Sequence, residues 1–473
     1  MGTSKEVLMA RRKPLGRDLA VPLVGGLEEI TTPHVGVAGL IELGRQSNVM
    51  AAAAKYLPAK QSPKGLGQDQ TVESFVILSA LGGECVDDFA QLRRDAGLEA
   101  MLGYPLPAPA TARQWLDRFH EEVLLEARPA QGSFIPPESR WLAALGAVVE
   151  HSVRTYVSAL TPGPEVTLDV DAHVVESTKV EALPTYLGVR GYQPLLVCWA
   201  EQGLILADEF RDGNVPASVG IKDLVDRAYG SLPAREGGWQ VAVRSDSAAY
   251  EQAVLDHWQA RGWRFAVSAD MSEALRREVQ ALAPDAWQAW AQEAGGVVRE
   301  WAEVPFVPSR KSEHRDTQPY RYLAIRVRQT QGRLFGDGNP VKHFAVVTND
   351  WETPGQALLG WHRGKAGSIE HIHRVLKDEL GAGVYPSGKF GANAAWLRLQ
   401  VLTHNLLETF KAAGLDEAYR HARPKRLRFA IFTQVGRLVR HAGRQLLRVA
   451  QQFLDAVVGR ARGRVRRLAW APT

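Results

Sequence analysis

Three acids in this sequence stand where carboxylates can work together. TLDVD places Asp169 and Asp171 two residues apart on a predicted strand, so both point to one face. VAVRSD ends in Asp246, immediately before Ser247 and a predicted helix. Glu370 lies on WHRGKAGSIEHIHRVLKDEL, a predicted helix on which Arg374 follows by four residues and Lys377 by seven, nearly in line. A carboxylate flanked by cations on one helix face can hold a metal ion and grip the phosphates beside it. Cleavage or transfer at a phosphodiester needs charge neutralisation and alignment of the attacking and leaving oxygens. Two Mg²⁺ ions about 3.5–4 Å apart supply both, and hard oxygen ligands suit them. Each acid alone has a commoner explanation, a helix cap for a strand-end Asp and a solvated face for a helical Glu. Their combination, in this order on these elements, is more specific.

Other chemistries find less support. His371 and His373 are two apart on a helix, point in different directions, and make a poor zinc pair. There is no GxxxxGK[ST] phosphate cradle and no GxSxG nucleophile elbow. Cys85 and Cys198 suggest neither a metal site nor a disulfide framework.

The elements that must position these acids fall into four stretches, with predicted boundaries 1–34, 35–160, 161–415 and 416–473. The first is a basic N-terminal arm without the apolar core of a secretory signal. The second reads as helices, with apolar residues three and four apart in TVESFVILSALGGECVDDFAQLRRDAGLEAMLG. In LPAPATARQWLDRFHEEVLLEA, Thr111 is the expected N-cap. Exposed Arg94, Arg113 and Arg118 suit a DNA-reading helix-turn-helix, and plain helical packing explains the pattern equally well. The third stretch is α/β. EVTLDVDAHVV reads as a strand, PLLVCWAEQGLILADEF as a hairpin, residues 219–230 as a helix and RFAVSAD as a further strand. Residues 271–348, with Trp287, Trp290, Trp301 and the turn FGDGNP, read as a partly β insertion. Trp396, Leu399, Leu402, Leu406 and Phe410 form one apolar stripe on a later helix. RLRFAIFTQVGRLVRHAGRQLLRVAQQF fits both a basic amphipathic helix and a hairpin turning near Gly443.

Composition is that of a globular chain, 45% hydrophobic and 23% charged over 473 residues. No run of about 18 uncharged apolar residues predicts a membrane span, and the cytosol is the expected compartment. The net charge of +5 is unevenly spread. From Arg423 onward 13 Lys and Arg face a single acid, Asp455, so the first 422 residues carry a net −7. A basic tail on an acidic body fits a polyanion partner, because cations release counterions from phosphates.

With these pieces in view, the sequence resembles the DDE transposases of bacterial insertion sequences, within them the insertion sequence thirteen-eighty group. The likeness runs from about Gly36 to Val449 and is carried by TLDVDAHVVES, YQPLLVCWAEQGLILADEFRDGNVPAS, VRSDSAAY, IEHIHRVLK and FGANAAW. It implies an RNase H-like mixed sheet with a β-rich insertion and a helical N-terminal region that binds the element's ends. It implies that Asp171, Asp246 and Glu370 are the catalytic and metal-holding acids, with Asp169 the alternative to Asp171. Two Mg²⁺ ions are expected, with Mn²⁺ as a substitute. The expected partner is double-stranded DNA, as terminal inverted repeats and target, gripped by a homodimer; no membrane is involved. Relatives carry a Tyr–Arg–Glu–Lys signature around the third acid. Glu370 and Lys377 fit it, while Arg363 stands at the Tyr position and Ala366 at the Arg position. Arg363 and Lys365 are candidates for the missing cation and, with Arg374 and Lys377, for DNA contact. A structure-selective nuclease that cuts without joining, and a DNA-binding regulator derived from a transposase, are the competing readings.

Overall fold

The computed structural model describes residues 29–60, 64–129, 131–293, 297–308, 320–329, 341–454, 459–470 and 472–473. Most of the predicted N-terminal arm and the FGDGNP turn lie outside them. In chain order the strands are β1 (Thr31–Thr32), β2 (Glu165–Ala172), β3 (Val175–Glu176), β4 (Leu183–Pro184), β5 (Arg190–Tyr192), β6 (Leu195–Trp199), β7 (Leu204–Glu209) and β8 (Gln240–Ser245). They continue as β9 (Arg264–Ala269), β10 (Gln288–Glu293), β11 (Val297–Val304), β12 (Arg321–Gln329), β13 (Val341–Thr348), β14 (Gly436–His441) and β15 (Arg444–Val449).

The large sheet has the order β10-β11-β12-β13-β9-β8-β2-β6-β7. At its centre β2 runs parallel to β8, and β8 parallel to β9, while β6 and β7 continue antiparallel on the other side of β2. From Val166 to Val170 β2 is buried at every position, as expected of a strand covered on both faces. The predicted insertion is not a separate body. β13 pairs antiparallel with β9 from Ala345 to Thr348, so β10–β13 lengthen the same sheet. Gly355 lets the next helix close onto this extension, since a Cβ there would lie 2.2 Å from the Trp301 ring.

The two faces are covered differently. On one face the helices α8 (Ile221–Gly230), α9 (Gln252–Ala260) and α10 (Glu273–Ala281) bury Leu224, Val225, Leu255, Trp258 and Leu275 against β2, β8 and β9. On the other face lie α11 (Gly355–Arg363), α12 (Lys365–Glu379) and α13 (Phe390–Ala413). Of the N-terminal helices, Ala38–Gln46, Gln68–Ala80, Pro109–Asp117 and Arg140–Leu160 pack onto α13, and Val49–Tyr56 packs on Gln68–Ala80 and Arg140–Leu160. Their residues Leu40, Phe75, Trp115 and Leu145 share one core with Leu196, Ile372, Trp396 and Leu402.

Local chemistry fixes several boundaries. Ser139 caps the helix Arg140–Leu160 by accepting from the Leu142 amide. The helix at Pro109 starts earlier than expected: Pro109 is its first residue, so Thr111 lies inside and Ala108 is the cap. In α13 the anticipated stripe is buried, and so is nearly everything else on that helix. Its polar residues are individually satisfied. Arg398 bonds Asp208 and Glu138, and the Asn405 amide donates to the Ile205 carbonyl at 2.8 Å and accepts from its N–H at 2.9 Å. Asn405 thereby satisfies the Ile205 backbone on β7, the last strand of the sheet.

The tail forms a hairpin, β14 and β15, turning through Ala442 and Gly443 at φ of 49° and 77°. β14 also pairs with β1 near the other end of the described chain. A final helix, α16 by chain order (Gly459–Arg467), packs on the helix Ala38–Gln46. Among the described residues no helix is long and apolar enough to cross a membrane.

Candidate active site

The site forms where the parallel strands end. β2 and β8 are in register, Asp169 opposite Arg244 and Val170 opposite Ser245, so the next step along each strand brings Asp171 beside Asp246. Asp246 leaves β8 extended and caps the turn Ser247–Ala249, with its Oδ1 accepting from the Ala248 amide at 3.1 Å. The strand end is held from behind by His362, whose Nε2 lies 3.1 Å from the Ser245 carbonyl.

Asp169 and Asp171 share a face, both meeting residues of α12, yet they have different neighbours. Asp169 is fully buried and clamped by Arg244, Nε to Oδ1 at 2.6 Å and the second guanidinium nitrogen to Oδ2 at 2.8 Å. Ser368 adds a short hydrogen bond to Asp169 Oδ2. Arg244 also donates to the Trp361 carbonyl at 2.5 Å and lies 5.3 Å from the centre of its ring. This cluster rivets α11 and α12 to the sheet. Both oxygens of Asp169 are engaged in these contacts.

Asp171 is half-buried, two residues nearer the strand end, and accepts from Lys365 Nζ at 2.9 Å. His373 Nε2 approaches its other oxygen at 3.5 Å, too far for a hydrogen bond. Burial, with Lys365 and His173 nearby, pushes the His373 pKa down to about 3, so the ring is neutral at pH 7 and makes no ion pair there. His173, whose ring centre is 5.3 Å away, is likewise shifted down by burial.

The cations proposed for DNA contact separate into two groups. Arg374 and Lys377 are exposed on α12 beside the exposed Glu370. Lys365 is buried against Asp171, and Arg363 lies 5.8 Å from the centre of the Trp290 ring in the sheet extension. Glu370 makes no side-chain hydrogen bond or ion pair among the described residues. Nor do those residues contain a group of three His, Cys, Asp or Glu side chains spaced to hold a metal ion. The structure thus joins Asp171 to Asp246 at neighbouring strand ends and brings α12 to Asp171 through Lys365. It does not gather Glu370 into that pair.

Asp246 opens onto a cleft of about 730 Å³ that Ala172, Gln193, Asn214, Tyr250 and Asp270 also line. Asp270 follows β9, the third parallel strand, and was missed in the sequence. The signal was present: RFAVSAD ends on an acid as VAVRSD does. Arg244 and Ser368 carried no comparable signal, because their role depends on cross-strand register and on how α12 docks.

In kind, the donors fit a hard divalent cation. Asp171 and Asp246 supply oxygen atoms, and a cation bound there would compete with the Lys365 ammonium for Asp171.

A search of curated protein sequences finds no match. Among solved structures the chain is similar to a piggyBac transposase determined by cryo-EM in a synaptic complex with hairpin DNA. The TM-score is 0.43 at 10% identity, covering 83% of this chain and 79% of that one. The family model described as transposase DDE domain group 1 matches residues 29–469. The chain, matched over nearly its whole length with an aspartate at the end of each central parallel strand, belongs to the DDE-domain transposases of group 1.

Proposed function

We propose that this protein is an active transposase that cuts at the ends of an insertion sequence and joins the freed ends to target DNA. The observation that carries the reading is the pair Asp171 and Asp246, set by β2–β8 register at adjacent strand ends with Asp246 on an open cleft. The strand order β7-β6-β2-β8-β9, antiparallel then parallel, supports an RNase H-like core that the β10–β13 strands extend.

Asp171 and Asp246 would hold Mg²⁺, with Glu370 as the third ligand once DNA is in place; Mn²⁺ would substitute. Bound there, the metal supplies charge neutralisation at the scissile phosphate and a more acidic water. The protein's own residues do the positioning. Arg244 and Asp169 fix the relation of α12 to the strands, and His362 holds the end of β8. Arg374 and Lys377 face outward beside Glu370, where phosphate oxygens of double-stranded DNA would be gripped. Two ends must be held together, so a homodimer on DNA is part of the proposal, as is a cytoplasmic, bacterial setting.

Asp246→Asn tests the mechanism. Size and capping are kept while the charge is lost, so folding and end binding should persist with cleavage and joining both abolished. Cleavage of a labelled terminal repeat in Mg²⁺, run beside a binding assay, reads this. Robust cutting by the variant sinks the mechanism. A second reading, a DNA-binding regulator that no longer cuts, is favoured by the Lys365 contact and by Glu370 standing outside the pair. It predicts that the parent protein binds terminal repeats and cuts none. A structure-selective nuclease would cut without yielding strand-transfer products.

A further inference from the structure

The tail's cations do not form one uniform basic surface. Arg462 and Arg466 donate to Glu42, Arg464 donates to Asp416, and Arg460 lies 3.8 Å from the same carboxylate. Arg428 is turned inward to the carbonyls of Ser79, Ala80 and Glu379, and Arg423 meets Glu379. These residues fasten the end of the chain to its helical layer.

The hairpin differs. No acid occurs between Glu417 and Asp455, so neither strand carries one. Arg440, Arg444 and Arg448 are exposed and meet no acid among the described residues. Arg437 stands directly opposite Arg448 across the ladder, with Glu29 the partner of Arg437. Like charges directly opposite one another weaken a hairpin. β1 pairs only with Gly436 and Arg437, so beyond them the ribbon has two strands, and residues 440–446 are exposed throughout. A ribbon of this kind, with unneutralised arginines and no covering layer, has the chemistry of a polyanion contact.

We propose that the β14–β15 hairpin, and not the final helix, is the tail's DNA contact: a two-stranded arginine ribbon that takes backbone phosphates of duplex DNA on both its faces, through Arg444 and Arg448 on one and Arg440 on the other. The inference rests on the transposase reading for its choice of polyanion.

The test measures binding of the full chain to a duplex of arbitrary sequence between 50 and 200 mM NaCl. The triple variant R440Q/R444Q/R448Q should bind more weakly, with the slope of log affinity against log salt shallower by about 2–3 if each arginine meets one phosphate. R440K/R444K/R448K keeps the charges and should retain the slope, which separates lost charge from a collapsed hairpin. R462Q/R466Q should lower the denaturation midpoint and leave the slope unchanged. An unchanged slope in the glutamine variant overturns the proposal, as does a slope that falls only in R462Q/R466Q. Loss of binding to an acidic polypeptide with duplex binding intact overturns it too, in favour of a protein partner. Because Asp246→Asn reads cleavage and these variants read salt dependence, either idea can fail alone.

Discussion

Asp169 and Asp171 are separated by one residue and by everything that faces them. Period-two alternation places both on the α12 face, as the sequence predicts. Which of them is available for chemistry depends on Arg244, whose place opposite Asp169 is set by a strand pairing that no local pattern reveals. Asp169→Asn would be mild if the residue merely neighboured the site. Instead it leaves the buried Arg244 without its counter-charge, and removing one partner of a buried pair costs about 3–5 kcal/mol. Chemical denaturation should show a loss of that order. A variant as stable as the parent would remove Asp169 from its role as anchor. The acids at strand ends were legible because strand, acid and helix follow one another in sequence. Asp270 satisfies the same rule, following β9 as Asp246 follows β8, but no predicted helix and no family phrase accompany it.

At the scale of elements, the start of the Pro109 helix and the choice between the two shapes open to the tail each have a local physical cause. Pro109 sets the helix start because its ring fixes φ near the helical value, which outweighs the capping preference of Thr111. The tail's apolar residues fit both helical and strand spacing, and the two-residue turn at Ala442 and Gly443 decides for the hairpin. Ala442 holds a left-handed φ of 49°, a conformation costly for a residue with a Cβ that is not Asn or Asp. Ala442→Asn should therefore stabilise the hairpin by up to about 1 kcal/mol. Slower amide exchange at Val439 and Leu446, a hydrogen-bonded pair of the ladder, would register this, and faster exchange would contradict it. On the helical side, Glu42 accepts from Arg462 and Arg466, and its carboxyl is held below the usual range by them against the opposing effect of burial. Glu42→Gln should cost roughly 1–3 kcal/mol, the scale of hydrogen bonds to a charged group, measured as a lower denaturation midpoint.

For the molecule as a whole, the helical layer and the sheet are not independent. Phe75 meets Trp396 edge-on at 6.2 Å between ring centres, Lys389 reaches Asp117 at 2.9 Å, and Arg398 donates to the Leu142 carbonyl. A fragment of residues 161–473 would expose most of one face of α13 and should show no cooperative unfolding transition. A sharp transition in that fragment would mean that the shared core is dispensable. Acid should loosen the same layer. His404 of α13 is buried, donates to the Gly203 carbonyl at 2.8 Å, and has its pKa pushed below 6.5 by burial, with Lys411 and His371 adding to the effect. Below pH 6.5 the unfolded chain takes up a proton that the folded chain resists. Stability present above pH 6.5 is therefore lost as pH falls toward the lowered folded value. His404→Gln should flatten that acid limb of the stability curve, and an unchanged limb would assign the acid sensitivity elsewhere.

The pairing of Thr31 and Thr32 with Gly436 and Arg437 has a consequence for how the chain is made. During synthesis the first helices emerge early, but their core also needs α13, and the helix Ala38–Gln46 waits for Val465 and Ala461 as well. At about 5–20 residues per second, roughly 2–10 s separate the end of α13 from the start of the last helix. For about the first half of that interval β1 has no partner, and throughout it part of the helical core stands open to water. Emergence of the last helix, after every other part of the helical layer, is the event that lets this core close.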